Sequence, residues 1–325
     1  MNQIQFVHSL CGIALVFLLF SAHPAASQPA DSQYLFSYFT GNGEDGLHLA
    51  HSTDGLEWEA LNNGESLLEP EVGNDRLMRD PSIVQGPDGT FHMVWTVSWG
   101  EKGIGYASSE DLVNWSEQQY LPVMEHEEDA LNCWAPELFY DEPSETHFIV
   151  WASTIPGKFP DTDGQDDDRY NHRLYYTKTK DFEEFSETRL FYEHGFNVID
   201  GAIFTGGEKG YAMVLKDETN EPFTPQKNIR LAFSDSPEGP WSAPTQPITG
   251  DYWAEGPTVL RIDGSWHVYF DKYIEGAFGM VVSDDLENWS DRSGRLKMPD
   301  GIRHGTAFEV TEEEFMRLKE KLSPN

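Results

Sequence analysis

Five times along the chain the sequence returns to one pattern: an alternating apolar strand, a turn rich in Ser and Asp, then an aromatic residue. The copies are GLHLAHSTDGLEW ending at Trp58, GIGYASSEDLVNW ending at Trp115, RLYYTKTKDFEEF ending at Phe185, IRLAFSDSPEGPW ending at Trp241 and FGMVVSDDLENW ending at Trp289. Self-similarity at intervals of roughly 50 residues marks a propeller or a solenoid, and the period-2 alternation selects β-structure over α. Each copy follows a second apolar strand: YLFSYF at 34, FHMVWT at 91, HFIVWA at 147, YAMVL at 211 and WHVYF at 266. Four of these follow a further short strand: PSIVQ at 81, PELFY at 136, GAIF at 201 and PTVLR at 257. The first copy lacks one, and GTAFEV at 305–310 is the segment that supplies it. The expected fold is all-β, a five-bladed β-propeller whose ring closes when the C-terminal strand joins the N-terminal blade. A fourth, outer strand is expected after each aromatic, for example EQQYLPV at 117–123. The repeated Trp58, Trp115, Trp241 and Trp289 read as blade-packing residues rather than sugar platforms. EEEFMRLKEKL at 312–322, with Phe315, Met316, Leu318 and Leu322 near helical spacing, reads as a terminal helix covering part of the ring.

The segment ahead of the repeats is of another kind. LCGIALVFLLFSA at 10–22 is an uninterrupted apolar run too short to span a bilayer comfortably, and Ala25-Ala26-Ser27 follows with small residues. Residues 1–27 therefore read as a signal peptide, with a retained anchor as the alternative because no Lys or Arg precedes the run. The expected location is secreted or periplasmic, with residues 28–325 as one catalytic domain and no membrane insertion after cleavage. Loss of Cys11 leaves only Cys133, so the core must hold by packing rather than by an internal disulfide. A net charge of −34, with only 22 Lys and Arg, excludes nucleic acid and anionic membranes as partners. It also points to a neutral ligand. The protein is expected to act as a monomer.

In a four-stranded blade successive strands run antiparallel, so the starts of the inner strands, the 2–3 loops and the 4–1 connections share one face. The five inner-strand starts read Arg79-Asp80-Pro81, Trp134-Ala135-Pro136, Ile199-Asp200-Gly201, Ala254-Glu255-Gly256 and Arg303-His304-Gly305. Placed in equivalent slots, Asp80, Asp200, Glu255 and His304 converge on the rim of the central channel. Cleavage of a glycosidic bond by inversion needs one ionised carboxylate to activate water and one protonated carboxyl for the leaving oxygen, about 6.5–9.5 Å apart. A third carboxylate near the acid raises its pKa. Asp80 and Asp200 as mere turn caps is the competing reading of each taken alone.

These residues resemble glycoside hydrolase family 43. RDPSI at 79–83, IDGAIF at 199–204 and EGPTV at 255–259 match its three spaced carboxylates, and WAPELFYD at 134–141 is similar to its second-blade motif. The resemblance covers nearly all of the mature chain. It implies Asp80 as general base, Asp200 as pKa modulator and Glu255 as general acid. RHGT at 303–306 is similar to the family's late His motif, which implies His304 on the channel axis, contacting a calcium or sodium ion through water. A neutral His hydrogen-bonded within the channel is the alternative. No cofactor is required by this chemistry, and a structural Ca2+ in the channel is the one metal implied.

The 2–3 loops on the site face should shape the pocket: residues 40–46, 98–103, 153–172, 216–227 and 271–277. The third holds DTDGQDDD at 161–168, which lacks EF-hand spacing and reads as a solvated acidic loop, with a cation site as the alternative. Trp99, Trp134, Tyr252 and Trp253 are candidate sugar walls, and Arg303 a donor to sugar hydroxyls; Phe39 reads as core. The expected activity is exo-hydrolysis of arabinofuranosyl, xylosyl or related galactosyl linkages in an oligosaccharide or polysaccharide. The other readings are another propeller glycosidase, of fructan or neoagaro-oligosaccharide type, and a catalytically silent carbohydrate-binding propeller. The fructan family's NDPN and EC motifs are missing.

Overall fold

The computed structural model describes residues 32–164 and 170–323; the expected signal peptide and residues 165–168 of the acidic loop lie outside them. The first blade holds β1 (Ser32–Tyr38), β2 (His48–Ser52) and β3 (Glu59–Ala60), and the second β4 (Arg79–Gln85), β5 (Phe91–Thr96), β6 (Ile104–Ser109) and β7 (Gln119–Leu121). The third holds β8 (Trp134–Asp141), β9 (Thr146–Thr154), β10 (His172–Thr179) and β11 (Arg189–Tyr192). The fourth holds β12 (Val198–Thr205), β13 (Tyr211–Asp217) and β14 (Asn228–Ser234). The fifth holds β15 (Glu255–Ile262), β16 (Ser265–Lys272), β17 (Ala277–Ser283) and β18 (Ser290–Asp291). Finally β19 (Ala307–Thr311) pairs antiparallel with β1, so the C-terminal strand closes the ring inside the first blade.

The repeated turn has a local physical cause. In blades two, three and five a Ser or Thr hydroxyl and an Asp carboxylate two residues on accept successive backbone N–H groups, as Ser109 and Asp111 do from Asp111, Leu112, Val113 and Asn114. Leu112, Phe182 and Leu286 take the left-handed conformation inside these turns. The chain is thereby reversed so that the following aromatic folds back onto its blade; Trp58 and Trp241 are buried, and Trp115 and Trp289 pack against the core. Phe39 is fully buried.

Two expectations are corrected. Blade four has no fourth strand among the described residues. The segment after Trp241 follows β14 through Ser242 N–H to Phe233 O, Thr245 N–H to Leu231 O and Ile248 N–H to Ile229 O, but Pro244 and Pro247 carry no N–H and break the ladder. The helix α1 (Glu312–Leu322) forms where expected, started by a capping box between Thr311 and Glu314, and buries Phe315 and Leu318. Met316, however, is half exposed, because it falls off the stripe those two residues define. Among the described residues no helix is long and apolar enough to cross a membrane.

Candidate active site

The ladder between the first two strands of blades two to five is interrupted at one place: after Arg79, Trp134, Ile199 and Glu255, which pair with Thr96, Ala152, Lys216 and Asp271. The next residue is Asp80, Ala135, Asp200 or Gly256, and each has positive φ, between 46° and 56°. This shared bulge re-aims side chains at the channel mouth. It also corrects the slot assigned to Glu255. Aligned through the bulge, Gly256 occupies the position of Asp80 and Asp200, whereas Glu255 takes that of Arg79 and Trp134. The cause is steric: a Cβ at position 256 would come within 2.3 Å of Cγ of the His304 ring. Only glycine fits there, so blade five carries its carboxylate one residue earlier.

The consequence is two environments in one cleft of about 370 Å³. Asp80 and Asp200 are buried and Glu255 is partly exposed. Asp80 receives a hydrogen bond of 2.8 Å from the Thr96 hydroxyl and faces Nδ1 of His304 at 3.3 Å. Burial pushes this carboxyl upward, but the hydrogen bonds from His304 and Thr96 and the charges of His304 and Arg79 bring it to about 2. Asp200 goes the other way. Burial raises it to about 6, helped by the negative charge of Glu255 and opposed by His304, Lys216 and the Gly256 N–H, which donates to it at 2.9 Å. Glu255 is held from two sides, by Lys216 Nζ and by Arg303 Nη2, each at 3.1 Å. Lys216 is itself buried and compensated by Glu218 at 2.6 Å, and Arg303 is anchored on buried Asp271 at 2.6 Å.

His304 sits among these groups, with Nε2 3.6 Å from Oε1 of Glu137. Burial alone would lower its pKa, but the Asp80 and Glu137 carboxylates and the charge of Asp200 hold it well above the ordinary range, as an imidazolium. Among the described residues no group of three or more His, Cys, Asp or Glu is arranged to hold a metal. His304, the residue expected to meet an ion through water, turns its two ring nitrogens toward the Asp80 and Glu137 carboxylates.

A family model described as a "probable glycosyl hydrolase domain", related to glycoside hydrolase family 43, matches residues 30–316. The chain belongs to the family 43-related glycosyl hydrolases. It hydrolyses glycosidic bonds, and its substrate is a carbohydrate. No curated protein sequence matches it. Among solved structures it resembles an α-L-arabinofuranosidase from Lactobacillus brevis, at 20% identity and a TM-score of 0.52 over 66% of this chain and 72% of that one. It also resembles a thermostable family-43 glycoside hydrolase at 16% identity and a TM-score of 0.51, over 66% and 72% of the two chains. A xylan β-1,4-xylosidase from Bacillus halodurans C-125 matches at 18% identity and a TM-score of 0.51, over 66% of this chain and 41% of that one.

In this family 43-related hydrolase Asp80, Asp200, Glu255, Arg303, His304, Trp99 and Trp134 line the one cleft. Trp99 and Trp134 stand edge to face at 5.5 Å, and the Trp134 indole N–H donates to the Trp99 carbonyl at 3.1 Å. Trp253 does not line the cleft; it is exposed, with Lys227 over its ring at 5.7 Å. Tyr252 is likewise outside it, stacked on Phe270 at 5.9 Å with its hydroxyl on Asp291. Thr96 and Glu137 were missed, and Lys216, Glu218 and Asp271 fall in loops expected to shape the pocket but were not singled out. Three of them had a usable signal: Thr96, Lys216 and Asp271 lie at or next to the ends of second strands, paired with the inner-strand starts.

Proposed function

We propose that this hydrolase acts with inversion, from the chain end, on a neutral arabinofuranosyl, xylosyl or related galactosyl linkage. The observation that carries the reading is the meeting, in one cleft, of a carboxylate held at about 2 and another raised to about 6, the second hydrogen-bonded to the residue next to Glu255. Asp80 is the general base: the His304 imidazolium and the Thr96 hydroxyl keep it ionised at any working pH, ready to take a proton from water on the face opposite the leaving group. Glu255 is the general acid, aimed at the glycosidic oxygen by Lys216 and Arg303. Asp200 is the modulator: it carries a like charge beside Glu255 in the same cleft, and its bond from the Gly256 N–H ties blade four to the acid's backbone. Trp99 and Trp134 provide apolar faces for sugar C–H groups, and Arg303 a donor to hydroxyls.

The reading requires no cofactor, and a structural Ca2+ in the central channel, met by His304 through water, belongs to the same proposal. The remaining expectations belong to the same proposal: export to a secreted or periplasmic location after cleavage near residue 27, a single catalytic domain and a monomeric protein. A panel of aryl glycosides with arabinofuranosyl, xylosyl and galactosyl groups tests the sugar. Proton NMR in the first minutes of the reaction tests inversion: the released sugar should have the anomeric configuration opposite to that of the substrate. A retained anomer would make Asp80 a nucleophile or stabiliser instead.

A further inference from the structure

Two of the basic groups at the cleft mouth, Lys216 and Arg303, are committed to carboxylates. Arg79 is not. Among the described residues no carboxylate oxygen lies within 4.0 Å of it, and the neighbouring Asp80 is turned toward His304 and Thr96. Its guanidinium lies between two rings, 4.2 Å from the Trp99 centroid and 4.6 Å from that of Phe39. Nη1 donates to the side-chain oxygen of Asn42 at 3.1 Å and to its backbone carbonyl at 3.4 Å. The group is thus held by two rings and from one end, while Nε and Nη2 have no hydrogen-bond partner among the described residues. A rigid planar fork of this kind suits a two-oxygen anion, which a lysine would hold only as a point charge.

Arg79 is the last paired residue before the bulge, and its partners Asn42 and Trp99 belong to loops at the rim; Trp99 is 45% exposed. It therefore meets a sugar beside the one being released rather than the reacting unit.

We infer that the Arg79 corner is a subsite for a monoanionic substituent, a uronate carboxylate or a sulfate ester, on the sugar adjacent to the neutral unit released. This rests on Asp80 and Glu255 acting at the cleaved bond as proposed above. The test uses three oligosaccharides with the same neutral scissile linkage, whose neighbouring unit is unmodified, carboxylated or sulfated. The wild-type protein should show a kcat/KM at least about tenfold higher for one of the two anionic substrates than for the neutral one, an advantage that shrinks as salt rises. Arg79→Gln should erase that preference, chiefly through KM, and Arg79→Lys should restore only part of it. No preference in the wild type, or an equal loss on all three substrates in Arg79→Gln, overturns the inference while the hydrolytic reading stands. If the wild type cleaves none of the three, the proposed linkage falls, and calorimetric binding of glucuronate, a sulfated galactose and galactose to the Asp80→Asn protein decides the subsite. An anion bound about tenfold tighter than galactose, with the difference lost on adding Arg79→Gln, supports it; equal affinities overturn it.

Discussion

Asp80 in blade two and Asp200 in blade four have the same backbone and opposite chemistry. Each follows the break in its ladder, each has a φ near 54°, and each is less than a tenth exposed. Burial acts on both in the same direction, yet one carboxyl is held at about 2 and the other at about 6. The difference lies in what meets the oxygens. Asp80 faces an imidazolium and a hydroxyl donor directly, whereas Asp200 has one backbone N–H and feels Glu255 as a like charge. A repeated slot in a propeller thus sets where a side chain stands, and neighbours from other blades set what it does.

The largest test of this contrast removes each charge in turn. Asp80→Asn should lower kcat by at least about a hundredfold, and Glu255→Gln by a similar factor, with unchanged circular dichroism, the usual scale for losing a positioned base or acid. Asp200→Asn should cost less, roughly tenfold, because it removes an influence on the acid rather than a reacting group. Its pH profile should change more than its rate. In the wild type the profile should show an inflection near 6, where Asp200 takes up a proton and its charge is lost. The asparagine variant is held in that neutral state, so this inflection should vanish from a kcat/KM profile.

Stability gives the third test. The Asp200 pKa is raised in the folded chain, so the native state holds the proton more tightly than the unfolded one, and stability declines as pH rises from the ordinary carboxylate range through about 6. Asp200→Asn should therefore raise the melting temperature at pH 8 by roughly 2–5 °C and leave it nearly unchanged at pH 4. Asp80, depressed to about 2, has the opposite sign: it contributes stability above the ordinary carboxylate range that is lost as pH falls toward 2. The smallest effect concerns Thr96, whose hydroxyl donates to Asp80 and accepts from the Ala135 N–H, both at 2.8 Å. Thr96→Val should reduce kcat by only about threefold to tenfold and cost about 1–3 kcal/mol of stability through the orphaned N–H, as denaturant titration would measure.

The propeller was legible because its signals are local and repeated. A strand, a Ser- and Asp-rich turn and an aromatic are written into each copy, and the blade count follows from counting them. The outer strand of blade four was misjudged because the aromatic before it repeats faithfully, while Pro244 and Pro247 deny the strand its donors. Within the site, Asp80, Asp200 and His304 could be read from inner-strand starts. The register of Glu255 could not be read from carboxylates alone; aligning Pro81, Pro136 and Pro257 would have placed it beside Arg79 and Trp134. The cations that hold it, Lys216 and Arg303, lie 39 and 48 residues away in the chain and meet it only through blade packing. Glu137 reaches His304 from within the WAPELFYD strand; the motif marked the segment, but nothing local marked that residue's side chain as one bound for the channel.

The division of labour between the two bulge carboxylates is tested most directly by titration of their side-chain carbons by NMR in aspartate-labelled protein, with Asp80→Asn and Asp200→Asn giving the assignments. Asp200 should titrate near 6, and Asp80 should stay ionised down to about 2, leaving several pH units in which one is charged and the other is not. Two midpoints close together near the ordinary carboxylate value, or the reverse order, would contradict the account.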